Sequence, residues 1–185
     1  MIDYQNCKTP EDLWLMVSQY IADHYLKWKD PYHTLSIAYE DSKKLINMAT
    51  VVLRHFDPIK KTLTFHTDSR SMKMQAKLMN AMHYYPGLPI QVRYQGSVVF
   101  NHMDKTALDK WDQLTPSQQH CYQIEHAPAT EITSPPHFKA NGKAFFSMVT
   151  LKLTFIDILY LHHQGHIRSR LTCQDGVWNG VWLSP

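Results

Sequence analysis

Glycine is scarce in this chain. Six occur among 185 residues and none is arranged as G-x-G-x-x-G, which excludes a Rossmann-type dinucleotide turn and any Gly-rich phosphate loop. Cysteine is scarcer still: Cys7, Cys121 and Cys173 lie far apart, form no C-x-x-C pair and leave an odd total. Neither a disulfide framework nor a cysteine-rich zinc site is expected, and a reducing cytoplasm suits such a chain. A strong excess of one charge is also missing. Nineteen Lys and Arg against sixteen Asp and Glu leave +3, too little to argue for nucleic acid as a partner. The most apolar late stretch, residues 144–161, is broken by Lys152 and Asp157, and the N-terminal MIDYQNCKTPEDLW lacks a basic-then-apolar leader. No membrane span and no secretion signal are expected.

What is present suits a single domain over residues 1–185, with 44% hydrophobic and 19% charged residues able to close one core. Thr9-Pro10-Glu11-Asp12 reads as a helix start, and Leu13, Trp14, Val17, Tyr20, Ile21 and Tyr25 recur at helical spacing, predicting a helix over residues 10–28. Strands follow at 34–39, 49–56 and 61–67, the last two joined as a hairpin by Asp57-Pro58. A short helix is expected up to about residue 80, with Met72, Gln75, Ala76 and Met79 on one side. Residues 90–100 give the clearest strand signal, bent or bulged at Gly96. Two short helices at 104–113 and 117–122 and a Pro-rich loop at 127–142 precede strands at 145–155, 157–162, 166–173 and 177–183. Strands dominate, so the expected fold is mainly β with inserted helices, a barrel over about residues 33–185.

Two stretches carry chemistry. Thr67-Asp68-Ser69-Arg70-Ser71-Met72-Lys73 sets two cations and three hydroxyls at a strand-to-helix junction. It reads either as an anion cradle at a helix N-terminus or as an ordinary capped surface helix. His162-His163-Gln164-Gly165-His166-Ile167-Arg168-Ser169-Arg170 reads as a hairpin, placing His166, Arg168 and Arg170 on one face of a strand. With no completing carboxylate or cysteine nearby, a ligand-facing strand is expected there and no metal site. Asp112 and Glu125 form no acid–base pair, and no serine sits in a nucleophile elbow, so no catalytic residue is assigned.

Three blocks in order, ATVVLRHFD…LTFHTDSRSMK, IQVRYQGSVVF and QGHIRSRL…GVWNGVWLSP, resemble the pyridoxamine 5′-phosphate oxidase-like FMN-binding split-barrel proteins. The T-D-x-R-S-x-K string and the G-H-x-R-x-R…W-L-x-P ending are most similar to the Alr4036-like branch. The resemblance implies a six-stranded antiparallel split β-barrel, a homodimer, and FMN held at the interface by both subunits. It implies that Lys73 and Thr67 hold the flavin phosphate, with Arg70 and Ser71 beside them. Arg54 stands where the family has a lysine, and His66 where it has an aromatic residue. Gln91 matches a glutamine that approaches the isoalloxazine, and Arg168 an arginine near the flavin ring. Ser117 and Gln118 align loosely with residues given by the second subunit. On the substrate side, His166 matches a histidine of the B6 oxidases. Gln164, Ala49 and Met72 stand where those enzymes have arginines, which points away from true B6 oxidase activity. The resemblance thus implies an FMN-dependent oxidoreductase acting on another small molecule, or alternatively a non-catalytic flavin- or haem-binding module.

Overall fold

The computed structural model describes residues 7–85, 89–138, 141–163 and 165–185. Thr9 caps the first helix, α1 (Pro10–His24): its hydroxyl accepts from the Asp12 N–H at 3.1 Å, while Asp12 accepts from the Thr9 N–H at 2.8 Å. The helix stops earlier than the residue 28 expected from sequence. Leu26 and Trp28 stay exposed, so a further turn would have nothing to pack against.

Eight strands follow: β1 (Thr34–Glu40), β2 (Ile46–Asp57), β3 (Thr62–Asp68), β4 (Leu78–Tyr85), β5 (Ile90–His102), β6 (Phe146–Tyr160), β7 (Ile167–Gln174) and β8 (Val177–Leu183). All pair antiparallel, in the order β3-β2-β1-β4-β5-β6-β7-β8. β3 also pairs with β6, from Thr62↔Lys152 to Asp68↔Phe146, which closes β1–β6 into a six-stranded barrel. β6 pairs with β5 along its length and is long enough to serve two partners in turn on its other edge. Its first half closes the barrel on β3, and its second half, Phe155 to Tyr160, leaves the seam and pairs with β7. The fold is therefore mainly β, a closed barrel with two outer strands and a few helices, as expected.

Inward residues alternate with outward ones, and the interior is filled by Leu35, Ile37, Leu53, Phe65, Val92 and Ile158, all essentially inaccessible. α1 buries Leu13, Val17 and Ile21 against the same core. A smaller apolar cluster lies around α2 (Lys105–Asp112), where Ala107, Trp111 and Leu114 meet Phe146. α3 (Pro116–His120) follows.

Two expectations need correction. Residues 69–80 are not an α-helix: only a 3-10 turn forms, Met72–Gln75, and β4 begins at Leu78. Helical spacing of Met72, Gln75, Ala76 and Met79 competed with a two-residue period further on. Met79, Ala81 and His83 are buried while Leu78 and Tyr84 are exposed, and barrel closure selects the second pattern. The stretch 145–162 is one strand, not two, because its polar interruption Asp157 is buried in the sheet. At Gly96 the expected irregularity is present, as the β5–β6 register shifts between Gln95 and Gly96. A Cβ there would run into the Lys152 carbonyl, so only glycine fits. No helix among the described residues is long and apolar enough to cross a membrane.

Candidate functional site

The end of β3 and the turn after it carry the first cluster. Lys73 Nζ lies 2.7 Å from Ser71 Oγ and 3.4 Å from Thr67 Oγ1, and both hydroxyl residues are 7% exposed. Burial lowers the Lys73 pKa, against a smaller opposing pull from Asp68. Among the described residues no carboxylate comes within ion-pair distance of this ammonium. A half-buried cation that donates to two hydroxyls, whose own O–H groups can donate outward, and that has no carboxylate in ion-pair contact suits a phosphate group. The donors are side chains, however, not a helix dipole: the turn spans four residues, and Ser71 makes no side-chain cap. The anion cradle expected at a helix N-terminus is therefore corrected to a side-chain cradle.

Arg70 is turned elsewhere. It grips Asp68 through Nε at 3.0 Å and Nη2 at 2.7 Å, and donates to the carbonyls of Glu125 at 2.8 Å and Ile124 at 2.9 Å. Its guanidinium also stacks 3.5 Å over the Phe145 ring. Four donated bonds and a ring contact occupy it as a clamp between β3 and the segment after α3.

Arg54 and His66 form a neighbouring pair. Arg54 falls where the β2–β3 register shifts between Leu53 and His55, and its charge reaches His66 on β3. His66 packs edge-on against Phe146 at 4.9 Å. Burial, and then the positive charges of Arg54 and Lys110, push its pKa down to about 3, so the ring is neutral at pH 7. Its Nε2 is buried with no partner among the described residues. A neutral donor or acceptor is thus left open one residue from Thr67.

A second region lies where β5, β6 and β7 run side by side. A cavity of about 540 Å³ opens there, walled by Met48, Met82, Phe155 and Leu183 and by the charged residues Arg93, Asp157, Arg168 and Arg170. Asp157 is 2% exposed and accepts from Arg93 Nη2 at 3.0 Å, Arg168 Nη2 at 3.1 Å and Arg168 Nε at 3.2 Å. Arg168 is therefore held in one orientation on the cavity wall. Arg170 shares this wall with Arg168, as expected of a ligand-facing strand, whereas Arg93 and Asp157 carried no role in the sequence reading. The available signal was an acid inside an apolar strand, flanked across both registers by arginine: Arg93↔Asp157 and Asp157↔Arg170.

The remaining candidates are dispersed. Gln91 lies on β5 opposite Tyr84 and Leu159, between the buried Ile90 and Val92, and does not line the cavity. His166 precedes β7 instead of sharing its face with Arg168, and its exposed ring accepts from the His162 N–H at 3.2 Å. Gln164 lies outside the described residues. Lys73, Ser71 and Thr67 are brought together, as are Arg54 and His66, whereas Arg168 belongs to the separate cavity.

Among solved structures, a pyridoxamine 5′-phosphate oxidase-related, FMN-binding protein from Nostoc punctiforme superposes with a TM-score of 0.76 at 18% identity, covering 93% of this chain and 97% of that one. PhzG from Burkholderia lata, solved with tetrahydrophenazine-1-carboxylic acid, gives a TM-score of 0.74 at 14% identity, covering 100% of this chain and 97% of that one. A Clostridium acetobutylicum protein of the pyridoxinephosphate oxidase family gives 0.54 at 8% identity, over 85% and 94%. No family model matches the sequence, and no curated protein does. The fold is that of the FMN-binding split-barrel proteins related to pyridoxamine 5′-phosphate oxidase. At these identities the likeness defines the class of fold and leaves the function to the residues.

Proposed function

We propose that this chain is an FMN-binding flavoprotein, an oxidoreductase of the Alr4036-like branch that works as a homodimer in the cytoplasm. The observation that carries the reading is the Lys73 ammonium, half-buried beside Ser71 and Thr67 with no carboxylate in ion-pair contact among the described residues. A flavin phosphate supplies the missing charge and accepts from all three side chains. Arg54 adds positive potential nearby, and the unpartnered Nε2 of His66 is a further contact for the cofactor. Arg168, its orientation set by Asp157, would supply a fixed cation able to stabilise negative charge on the flavin ring. Lys73 does not line the cavity that Arg168 lines, which accords with a cofactor touched by two protomers.

When bound, FMN supplies the redox chemistry. The chain's own part is to hold the phosphate, orient the ring and keep a fixed cation beside it. Ala49, Met72 and Gln164, in place of the arginines of the B6 oxidases, support a substrate other than pyridoxamine phosphate.

Titration with FMN, followed by quenching of flavin fluorescence, tests the reading. The parent protein should bind, and Lys73→Ala should lose about 1.5–3 kcal/mol, a weakening of roughly 10- to 100-fold. Equal affinity in the two proteins removes Lys73 from the site. A Soret band on incubation with haem, in place of flavin uptake, replaces the flavoprotein with a haem-binding module, and uptake of neither favours a structural or protein-interaction role.

A further inference from the structure

We propose that the outer face of α1 is a contact between two copies of this chain: the helix packs antiparallel on the same helix of a second copy, and Trp28 of each copy enters a groove of the other. This surface goes beyond the proposed function and does not rest on it. None of its residues lines the Arg168 cavity or belongs to the Lys73 cluster.

Helical periodicity defines the face. Leu13, Trp14, Val17 and Ile21 give α1 its buried side. Leu15, Gln19 and Ala22 fall on the opposite side, at the i, i+4, i+7 spacing of one helix face. Tyr25 keeps helical backbone angles, φ −60° and ψ −23°, so Leu26 continues that row. Leu15 is 68% exposed and Leu26 67%. The barrel's own core uses neither leucine, and an apolar row with polar surroundings marks an interaction surface.

Trp28 extends the row. It is 76% exposed, and its ring meets the Lys29 ammonium 5.2 Å from the centroid. Tryptophan is ordinarily well buried, and it is among the residues that most often anchor an interface. A groove of about 550 Å³ lies toward the other end of α1, walled by Trp14, Leu15, Ile59, Leu171 and Trp178. Apolar walls around that volume hold an indole with room to spare.

A two-fold axis between residues 20 and 21 joins these features. It sets Leu15 against Leu26 of the second copy and Gln19 against its Ala22, a small side chain where the helices cross. The same register brings the second copy's Trp28 to the level of Leu13, beside the groove, and its Lys29 to the level of Asp12. Charge selects the antiparallel direction. Glu11 and Asp12 open the helix, Lys27 and Lys29 follow its end, and none of the four joins an ion pair among the described residues. Antiparallel packing sets the acids of one copy near the lysines of the other and opposes the two helix dipoles, whereas parallel packing sets like charges together. Lys8 and Asp30 partly offset these charges, so they fix direction while the apolar residues supply affinity. Asp23 and Asp30, close to the row, disfavour an anionic lipid surface as the occupant.

Sedimentation velocity from about 5 to 200 µM provides the test, a range suited to a contact at the small end of specific interfaces. The mass of the parent should climb with concentration toward twice that of Leu15→Asp, which puts a charge into the apolar row. Because the comparison is with the variant, it reads the same whether or not the flavin site joins another pair of copies. Trp28→Ser, a change at an exposed side chain, should weaken the association about tenfold or more. Lys29→Glu should weaken it as well, and Glu11→Lys added to it should recover part of the loss. Equal masses of parent, Leu15→Asp and Trp28→Ser at every concentration overturn the proposal. Binding of the parent to phosphatidylserine vesicles that Trp28→Ser abolishes without a change of mass also overturns it, and assigns the patch to a membrane surface. Should Leu15→Asp fail to fold, Trp28→Ser decides alone. FMN uptake should be equal in the parent and Trp28→Ser. Protein that takes FMN while all masses stay equal refutes this proposal alone; protein that pairs through α1 but takes no FMN refutes the flavoprotein reading alone.

Discussion

Mild acid should weaken this fold through two histidines that burial keeps neutral, of which His83 is the more deeply enclosed. His83 on β4 points into the barrel and is 2% exposed, wedged between the rings of Tyr32 and Tyr94 with Nδ1 3.2 Å from the Tyr94 hydroxyl. Burial pushes its pKa down to about 3 from 6.5. Between those values the unfolded chain binds a proton that the folded chain refuses, so stability falls as pH drops through 6.5 toward 3. At about 1.4 kcal/mol per pH unit, the loss at pH 5 is about 2 kcal/mol from this residue. His66, also held at about 3, acts in the same direction over the same window. Together they approach a third or more of the stability of an ordinary domain, roughly 5–15 kcal/mol. The aspartates with lowered pKa values, such as Asp41 and Asp104, act only below about 3.8 and do not confuse the measurement. Urea unfolding at pH 7 and pH 5, at fixed salt and protein concentration, should show this loss in the parent. In His83→Gln the pH-dependent part should shrink by about 2 kcal/mol, whatever the variant's stability at pH 7. An identical pH dependence in both proteins would refute the burial argument.

Gly96→Ala should destabilise the barrel by more than about 2 kcal/mol, measurable by thermal melting, because the new methyl group meets the Lys152 carbonyl at the β5–β6 bulge. Arg70→Ala should leave FMN affinity within about threefold of the parent, since the guanidinium is committed to Asp68 and to two carbonyls. Limited proteolysis should then cut faster near residues 124–138; a loss of affinity matching that of Lys73→Ala would return Arg70 to the phosphate.

The hairpin of β2 and β3 was legible because β-branched runs flank Asp57-Pro58, and α1 because Thr9 to Asp12 spell a capping box. β4 was misread because Met72, Gln75, Ala76 and Met79 satisfy a helical period locally. Only pairing with β1 and β5 makes the two-residue period win. That Lys73 lies beside Thr67 and Ser71 was within reach of the sequence, since the three share one strand end and turn, although the pattern alone left a capped helix open. Arg70 lies in the same string, yet its partners at 124 and 125 are more than fifty residues away.

Local order alone therefore determined a mainly β chain, a capped first helix, a bulge at Gly96 and a cationic, hydroxyl-rich turn. Each depends on neighbours a few residues apart, where steric and hydrogen-bonding preferences act directly. The tertiary structure decided which cations are free. Asp157 draws Arg93 and Arg168 together from strands far apart in the chain, and leaves Arg170 opposite without a counter-ion among the described residues. Charge balance is a property of the assembled sheet, because a carboxylate can neutralise only the guanidiniums that the strand register brings within reach.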